Sequence, residues 1–179
     1  MLNGGHKMNA KKLITSISIL TITLMGFVAC GKDLSADPPF TTFTFDTTYD
    51  DMIKELGEPD SEKESYYGNA YIYSSDYLDL EGNVQYAFDE DGNMTNMTWA
   101  YFSEDGEEIT DIYNDLHKQL QNSLGKTKEA TNTVTNLADI WRLDSGNIEL
   151  AAIVTSDYNV VMFTYLSPEY STSQEEIEE

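Results

Sequence analysis

The protein has 179 residues and is strongly acidic: 32 aspartates and glutamates stand against 10 lysines and arginines, for a net charge of −22 at pH 7. A surface of this charge repels phosphate backbones, so we expect no nucleic-acid partner. The single cysteine, Cys30, excludes a disulfide within the chain, so a folded domain must be held together by its hydrophobic core. The length is sufficient for one such core.

The first 29 residues have the organisation of a secretory signal peptide. Lys11 and Lys12 precede an apolar run, residues 13–29, that is interrupted by serines and threonines. A helix that spans a bilayer needs roughly 20 predominantly apolar residues, so this run is short for that purpose. A basic start, a short apolar middle and small residues before a polar chain predict that residues 1–29 are a cleaved signal.

Cys30 lies where this apolar run ends, within the sequence Val28-Ala29-Cys30-Gly31. The stretch resembles the lipobox of bacterial lipoproteins, although Phe27 stands where that family more often has leucine. The resemblance implies that Cys30 receives a lipid and that the chain is cut before it. An uncleaved anchor or a buried free cysteine would leave this placement unexplained. We therefore predict anchoring to the cell membrane through Cys30, facing away from the cytoplasm, or to the outer membrane in a cell that has one.

The predicted mature chain has three parts. Residues 30–39 are small, polar and end in two prolines, which predicts a tether, and residues 170–179 are acidic and polar, which predicts a disordered tail. Residues 40–169 are expected to form one folded domain. Cleavage would remove three lysines and no acidic residue, which takes the net charge from −22 to −25.

The first half of this domain predicts one helix and three strands, with a short strand at Thr41–Phe45 before them. Apolar residues recur at helical spacing over residues 48–56, where Thr48 can cap the start and Gly57 can end the helix. Alternating apolar residues then predict strands over residues 69–75, 81–88 and 91–101. Pairs of glycine and asparagine, such as Gly82-Asn83, predict the hairpin turns.

The second half of the domain has the same order of patterns. An apolar stripe over residues 109–124 predicts a longer helix that ends at Gly125, and strands are predicted over residues 137–143, 145–154 and 157–167. Residues 46–101 and 103–167 are therefore interpreted as two copies of a helix-plus-three-strand unit. We predict a two-layer α+β fold of antiparallel sheet with the helices on one face. Whether the units share one sheet stays open.

Two short motifs carry a resemblance. Leu56-Gly57-Glu58-Pro59 after the first helix, and the later stretch over residues 88–93, resemble the small bacterial lipoproteins of the SmpA/OmlA type. A tandem of two such units is similar to the β-lactamase inhibitory protein fold, although Lys126-Thr127 stands where the first copy has Glu58-Pro59. The resemblance implies a non-catalytic protein that binds another protein across its sheet.

The sequence predicts no catalytic residue, metal site or cofactor. Asp89 and Asp91 have the spacing of a calcium loop, but Met94 and Ala100 stand where that loop needs glycine and glutamate. His117 follows an apolar stripe position and is interpreted as a solvated helix residue, and no Gly-x-Ser-x-Gly nucleophile motif is present. An envelope hydrolase stays open only because carboxylates are abundant.

The candidate binding face is formed by three aromatic residues. If Ile72 and Ile140 face the helices, then Tyr71, Tyr73 and Trp141 lie on the opposite, open face of the sheet. Aromatic side chains with polar tips suit protein interfaces and also stack on sugars. We therefore predict a protein-binding module, with a carbohydrate- or wall-fragment-binding module as the alternative. The opposite orientation, in which these rings belong to the core, is compatible with the same alternation. Four aromatic or apolar residues of the third strands are expected in the core: Met97, Trp99, Phe163 and Tyr165.

Overall fold

The computed structural model describes residues 36–127 and 129–172. These residues form two α-helices, eight β-strands and one short 3-10 helix. The helices are α1 (Tyr49–Leu56) and α2 (Gly106–Leu124), and the 3-10 helix is Pro168–Tyr170. The strands are β1 (Ser61–Ser65), β2 (Gly68–Tyr77), β3 (Leu80–Phe88), β4 (Met94–Ser103), β5 (Glu129–Asn132), β6 (Asn136–Leu143), β7 (Gly146–Val154) and β8 (Asn159–Leu166).

All eight strands belong to one antiparallel sheet with the order β1-β2-β3-β4-β8-β7-β6-β5. Each half of the sheet is a meander of four strands, and the two meanders meet where β4 pairs with β8. In that central pair Trp99 lies opposite Phe163 and Met97 opposite Tyr165, so the largest side chains of both halves share one face.

Local capping explains where both helices begin and end. The Thr48 hydroxyl accepts a hydrogen bond from the Asp51 amide at the start of α1, and the Asp105 carboxylate accepts from the amides of Glu107 and Glu108 at the start of α2. Gly57 and Gly125 end the helices with φ of +81° and +85°, a region that favours glycine. The helix boundaries predicted at Gly57 and Gly125 are confirmed.

One face of the sheet is covered by both helices and by residues 40–47, and we call it the covered face. α2 lies against β4, β7 and β8. Met97, Trp99, Phe163 and Tyr165 are all buried there, which confirms their prediction as core residues. Phe40 and Phe43, which precede α1, pack edge to face on rings of the sheet, Phe40 on Tyr77 and Phe43 on Tyr86.

The predicted tandem of helix-plus-three-strand units is wrong. The chain forms a single eight-stranded sheet, and the strands that were missed are the two edge strands, β1 and β5. Their sequences, SEKES and EATN, are polar and mostly exposed, so they lack the apolar alternation by which a strand is recognised. Thr41–Phe45 was expected to be a strand and is not one, because Phe43 packs inward while a Thr41–Phe43 side-chain hydrogen bond turns the chain.

The first hairpin turn also differs from the prediction. Gly82 lies within β3, and the turn between β2 and β3 is made by Leu78 and Asp79, both with positive φ. Gly82 is needed for another reason: a Cβ there would lie 2.7 Å from Nε1 of Trp99. The glycine therefore makes room for a core indole.

Several predictions concern the ends of the chain. The signal at residues 1–29, the lipid site Cys30 and most of the tether lie outside the described residues. The same is true of residues 173–179 of the tail. The beginning of the predicted tail is folded, since the Ser171 hydroxyl accepts from the Asn147 amide and the Thr172 carbonyl accepts from Arg142. Within the described residues, no helix combines the length and the apolar character required to cross a membrane.

Candidate functional site

Tyr71, Tyr73 and Trp141 lie on the covered face of the sheet, where helices and core residues surround them. Tyr73 is 9% exposed and Trp141 is 3% exposed, and Tyr71 is partly buried against the core. The prediction that these residues form an exposed binding face is therefore wrong. Of the two orientations that the alternation allowed, the structure has the one in which the rings face the helices and Ile72 and Ile140 face outward.

The polar tips of the two buried rings explain this orientation. The Tyr73 hydroxyl donates a hydrogen bond of 3.0 Å to the carbonyl of Gly57, and the Trp141 Nε1 donates one of 2.9 Å to the carbonyl of Gly125. These carbonyls end the two helices and have no acceptor role within the helix, so a side-chain donor can satisfy them. Burial raises the pKa of Tyr73 to about 12. Both residues therefore fasten a helix end to the sheet.

A polar network that the sequence prediction missed lies under α2. The carboxylate of Asp139 on β6 is 2% exposed and accepts a hydrogen bond from the Tyr113 hydroxyl. Nδ1 of His117 lies 2.5 Å from the same carboxylate oxygen, and the other ring nitrogen contacts the Gln121 amide. The ring of His117 also packs 5.9 Å from that of Trp141. His117 is therefore held in place, and its prediction as a solvated residue is wrong.

A signal for this network was present in the sequence. Asp139 alternates with Leu137 and Trp141 along β6, so a carboxylate stands at a position that faces the core. A buried carboxylate is costly unless several donors satisfy it, and this requirement points to polar residues on the facing helix. Burial and the hydrogen bond to Asp139 raise the pKa of Tyr113, so this tyrosine remains a donor.

The network resembles part of a catalytic triad in its residue types. A buried Asp that orients a His is the arrangement that activates a nucleophile when the second ring nitrogen faces one. Here that nitrogen contacts Gln121, and no serine, threonine or cysteine of the described residues hydrogen-bonds to His117. Tyr113 and His117 both join α2 to Asp139 on β6, so the geometry supports a structural role for the network.

In the acidic turn between β3 and β4, hydrogen bonds engage both carboxylate oxygens of Asp89. Oδ1 of Asp89 accepts from the amides of Asp91 and Asn93, and Oδ2 accepts from the Asn93 side chain and the Tyr170 hydroxyl. Among the described residues, no three His, Cys, Asp or Glu side chains are grouped so as to hold a metal ion. These hydrogen bonds make the aspartates part of a stable turn.

The other side of the sheet, which we call the open face, carries neither of the two described α-helices. Many of its side chains are half-exposed and are small, apolar or uncharged: Ile72, Gln85, Thr98, Ala100, Ile140, Ala151, Ile153, Met162 and Thr164. One end of this face is covered, because the Thr95 hydroxyl binds the Tyr67 carbonyl of the β1–β2 turn and the Ser167 amide binds the Thr95 carbonyl.

A charged cluster lies near the covered end of the open face. Arg142 donates two hydrogen bonds, of 2.6 and 2.8 Å, to the carboxylate of Glu129 on β5. The hydrogen bond from Arg142 lowers the pKa of Glu129, because the guanidinium stabilises the ionised carboxylate. Glu149 on β7 is half-buried, and burial raises its pKa despite the opposing effect of Arg142. The cluster ties the edge strand β5 to the sheet.

The comparisons with known proteins leave the family open. No protein-family model matches the sequence, and no curated protein does. Among solved structures, the chain is similar to the crystal structure of YjgB, a DUF4309 family protein from Bacillus subtilis, with 13% identity and a TM-score of 0.45. The alignment covers 75% of this chain and 86% of that protein.

Proposed function

We propose that this is an exported, lipid-anchored, non-catalytic module that binds another protein across the open face of its sheet. The observation that carries the binding proposal is the asymmetry of the sheet: one face is covered by helices, while the other presents half-exposed apolar and small side chains. Exposed contiguous apolar surface on a soluble domain commonly marks a site of interaction. The resemblance to SmpA/OmlA-type lipoproteins agrees with this proposal.

The size of the open face suits a protein partner. With a strand spacing of about 4.8 Å and a rise of about 3.3 Å per residue, the six inner strands cover an area about 24 Å wide and about 26 Å long. A standard protein interface buries roughly 800 Å² on each partner. The open face with its edge strands therefore has about the area that one such interface needs.

The carbohydrate alternative depended on an exposed row of aromatic rings. Tyr71, Tyr73 and Trp141 were predicted to form that row, but all three lie on the covered face, where Tyr73 and Trp141 are buried and Tyr71 is partly buried. The central positions of the open face, such as Gln85 and Thr98, carry no ring on which a sugar would stack. We therefore propose protein binding alone.

The proposed lipid anchor is tested by labelling bacteria that express the full chain with an alkyne fatty acid. We expect label on the protein and its recovery with membranes, and loss of both in the Cys30→Ala variant. A labelled, membrane-bound Cys30→Ala protein would contradict the anchor, because no other cysteine is present.

The proposed binding face is tested by photo-crosslinking in the same cells. A photoreactive phenylalanine analogue replaces Gln85 at the centre of the open face, or Asn114 on the exposed side of α2 as the matched control. We expect one defined crosslinked protein from position 85 and none from position 114. Equal crosslinking from both positions, or none from position 85, would contradict binding through the open face.

A further inference from the structure

The apolar residues of the open face are concentrated at the end of the sheet that the β1–β2 turn leaves uncovered. They are Phe102, Val160 and Ile153 in one row across the strands, and Ala100, Met162 and Ala151 in the next. We call these six residues the Phe102 patch. Phe102 is 56% exposed although it lies within a strand, and its cross-strand neighbour Val160 is buried. A ring of this size left in solvent at the end of an apolar row is unusual for a side chain without a partner.

A recess opens beside the Phe102 patch. Its volume is about 410 Å³, and it is lined by Phe102–Glu104 at the end of β4 and by Thr155–Asn159 in the β7–β8 turn. Tyr158 in this turn is also more than half exposed. The recess has room for one or two side chains, so the patch offers both a flat apolar surface and a cavity next to it.

Carboxylates surround the Phe102 patch. Asp76 pairs with Glu81 on the open face, and the β3–β4 register places Glu81 level with Phe102. Glu104 and Asp157 line the recess. All four acidic residues are exposed. The basic residues that the described strands present on the open face, Lys63 and Arg142, lie toward its other end, and Arg142 is paired with Glu129.

We infer that the Phe102 patch binds a protein segment that presents aliphatic side chains flanked by lysine or arginine. This inference rests on the proposed function and adds the place and the chemistry of the partner. Apolar contact with Phe102 and Met162 supplies affinity, and the four carboxylates favour a basic partner and accelerate its approach. A second copy of this chain is a poor occupant, because its net charge of −22 is repelled by the same carboxylates.

The inference is tested with the full, lipidated chain in phosphatidylcholine nanodiscs and a short blocked peptide of alternating leucine and lysine. The readout is the methyl NMR signal of Met162, assigned with the variant Met162→Leu, with empty nanodiscs as the blank. We expect the Met162 signal to shift with the peptide, and binding to weaken several-fold as salt rises from about 50 to about 500 mM. Peptides with glutamate for lysine, or serine for leucine, should bind at least tenfold more weakly.

Three variants locate the contact. Phe102→Ser should weaken peptide binding about tenfold, and Asp76→Asn with Glu81→Gln should weaken it several-fold and reduce the salt dependence. Tyr66→Ser is the matched control, because Tyr66 is 94% exposed at the opposite end of the sheet, and it should leave binding unchanged. Unchanged methyl signals of the buried Met52 and Met97 show that each variant is folded.

The outcomes separate this inference from the proposed function. The inference is contradicted if the peptide does not shift the Met162 signal. It is also contradicted if Phe102→Ser or the charge variants leave the peptide affinity unchanged. A defined crosslink from position 85 would then still support binding across the open face. The absence of a crosslink from position 85 would contradict the proposed function, even if the peptide shifted the Met162 signal.

Discussion

The two halves of the sheet hold their helices by equivalent contacts near the helix C-terminus. In each half, a donor on the strand next to the edge strand reaches the carbonyl of the glycine that ends the preceding helix, at a separation of 16 residues: Tyr73 reaches Gly57 and Trp141 reaches Gly125. About two turns before each of these glycines, the chemistry differs. Tyr49 packs on Tyr71 with ring centroids 4.7 Å apart, whereas His117 at the same spacing binds the buried carboxylate of Asp139.

The difference follows from how much of the sheet each helix covers. α2 has 19 residues and buries Ile109, Tyr113, Leu116 and Leu120, whereas the eight residues of α1 bury only Met52. In the first half, residues 40–47 complete the cover. A long helix over a full apolar face can accommodate a satisfied polar network, which favours a single register between α2 and β6. A short helix at the edge of the core uses aromatic packing instead.

Replacement of the helix anchors should show that α2 contributes more to stability than α1. We expect Trp141→Ala to lower the free energy of unfolding by about 4 kcal/mol and Tyr73→Ala by about 3 kcal/mol, since both delete a large buried ring and a hydrogen bond. Urea unfolding followed by far-UV circular dichroism measures both values. Tyr66→Ala, at an exposed position, should be nearly neutral. A larger loss for Tyr73→Ala would reverse the comparison.

Removal of the Asp139 carboxylate, which has no equivalent in the first half, should lower the free energy of unfolding almost as much. Asp139→Ala leaves Tyr113 and His117 without their acceptor, and we expect a loss of about 3 kcal/mol. Asp111→Ala, on the exposed side of α2, is the control and should change stability by less than about 0.5 kcal/mol. A loss below about 1 kcal/mol for Asp139→Ala would show that the network does not hold α2 to β6.

Removal of one hydroxyl isolates the hydrogen bond in the first half. Tyr73→Phe keeps the ring and leaves the Gly57 carbonyl without this donor, so we expect a loss of about 1 kcal/mol. Trp141→Phe also reduces the ring volume and should cost more. Equal values for Tyr73→Phe and Tyr73→Ala would show that the hydroxyl, not the ring, accounts for the anchor.

The turns of the two halves differ in strain. Leu78 has a φ of +57° in the β2–β3 turn, a conformation that costs a leucine roughly 1 kcal/mol or more. Leu78→Asn should therefore raise stability by about 0.5–1 kcal/mol, because asparagine tolerates this region. The midpoint of thermal unfolding measures the gain, and the matched change Ser145→Asn in the β6–β7 turn should give none. A lower unfolding midpoint for Leu78→Asn would show that the packing of the half-exposed leucine contributes more stability than its backbone strain costs.

The smallest expected effect depends on pH. Glu149 on β7 occupies the position that Gln85 holds on β3. Because burial raises the pKa of folded Glu149 above its unfolded value, the ionised form costs stability at neutral pH, and that cost disappears as the pH falls through the folded pKa. Glu149→Gln should thus stabilise the protein at pH 7 and less at pH 4. An advantage that grows toward pH 4 would contradict this sign.

Part of the candidate site was visible in the sequence. Alternation predicted that Tyr71, Tyr73 and Trp141 share one face of the sheet, and they do. It did not indicate which face the helices cover. The partners of Asp139 lie on a helix more than twenty residues away, so only the packing of α2 on β6 brings them together. The Phe102 patch is assembled from β4, β7 and β8 and depends on a register that no single segment encodes.

The sequence by itself determined the features that arise within a few residues: the capped helix starts, the glycine ends of both helices and the alternation of the inner strands. Tertiary structure alone decided the membership of the polar edge strands β1 and β5, the union of both halves in one sheet, and the side on which the helices lie. The physical reason is range. Caps and periodicity depend on neighbouring residues, whereas edge pairing and the choice of covered face depend on the burial of side chains from distant segments.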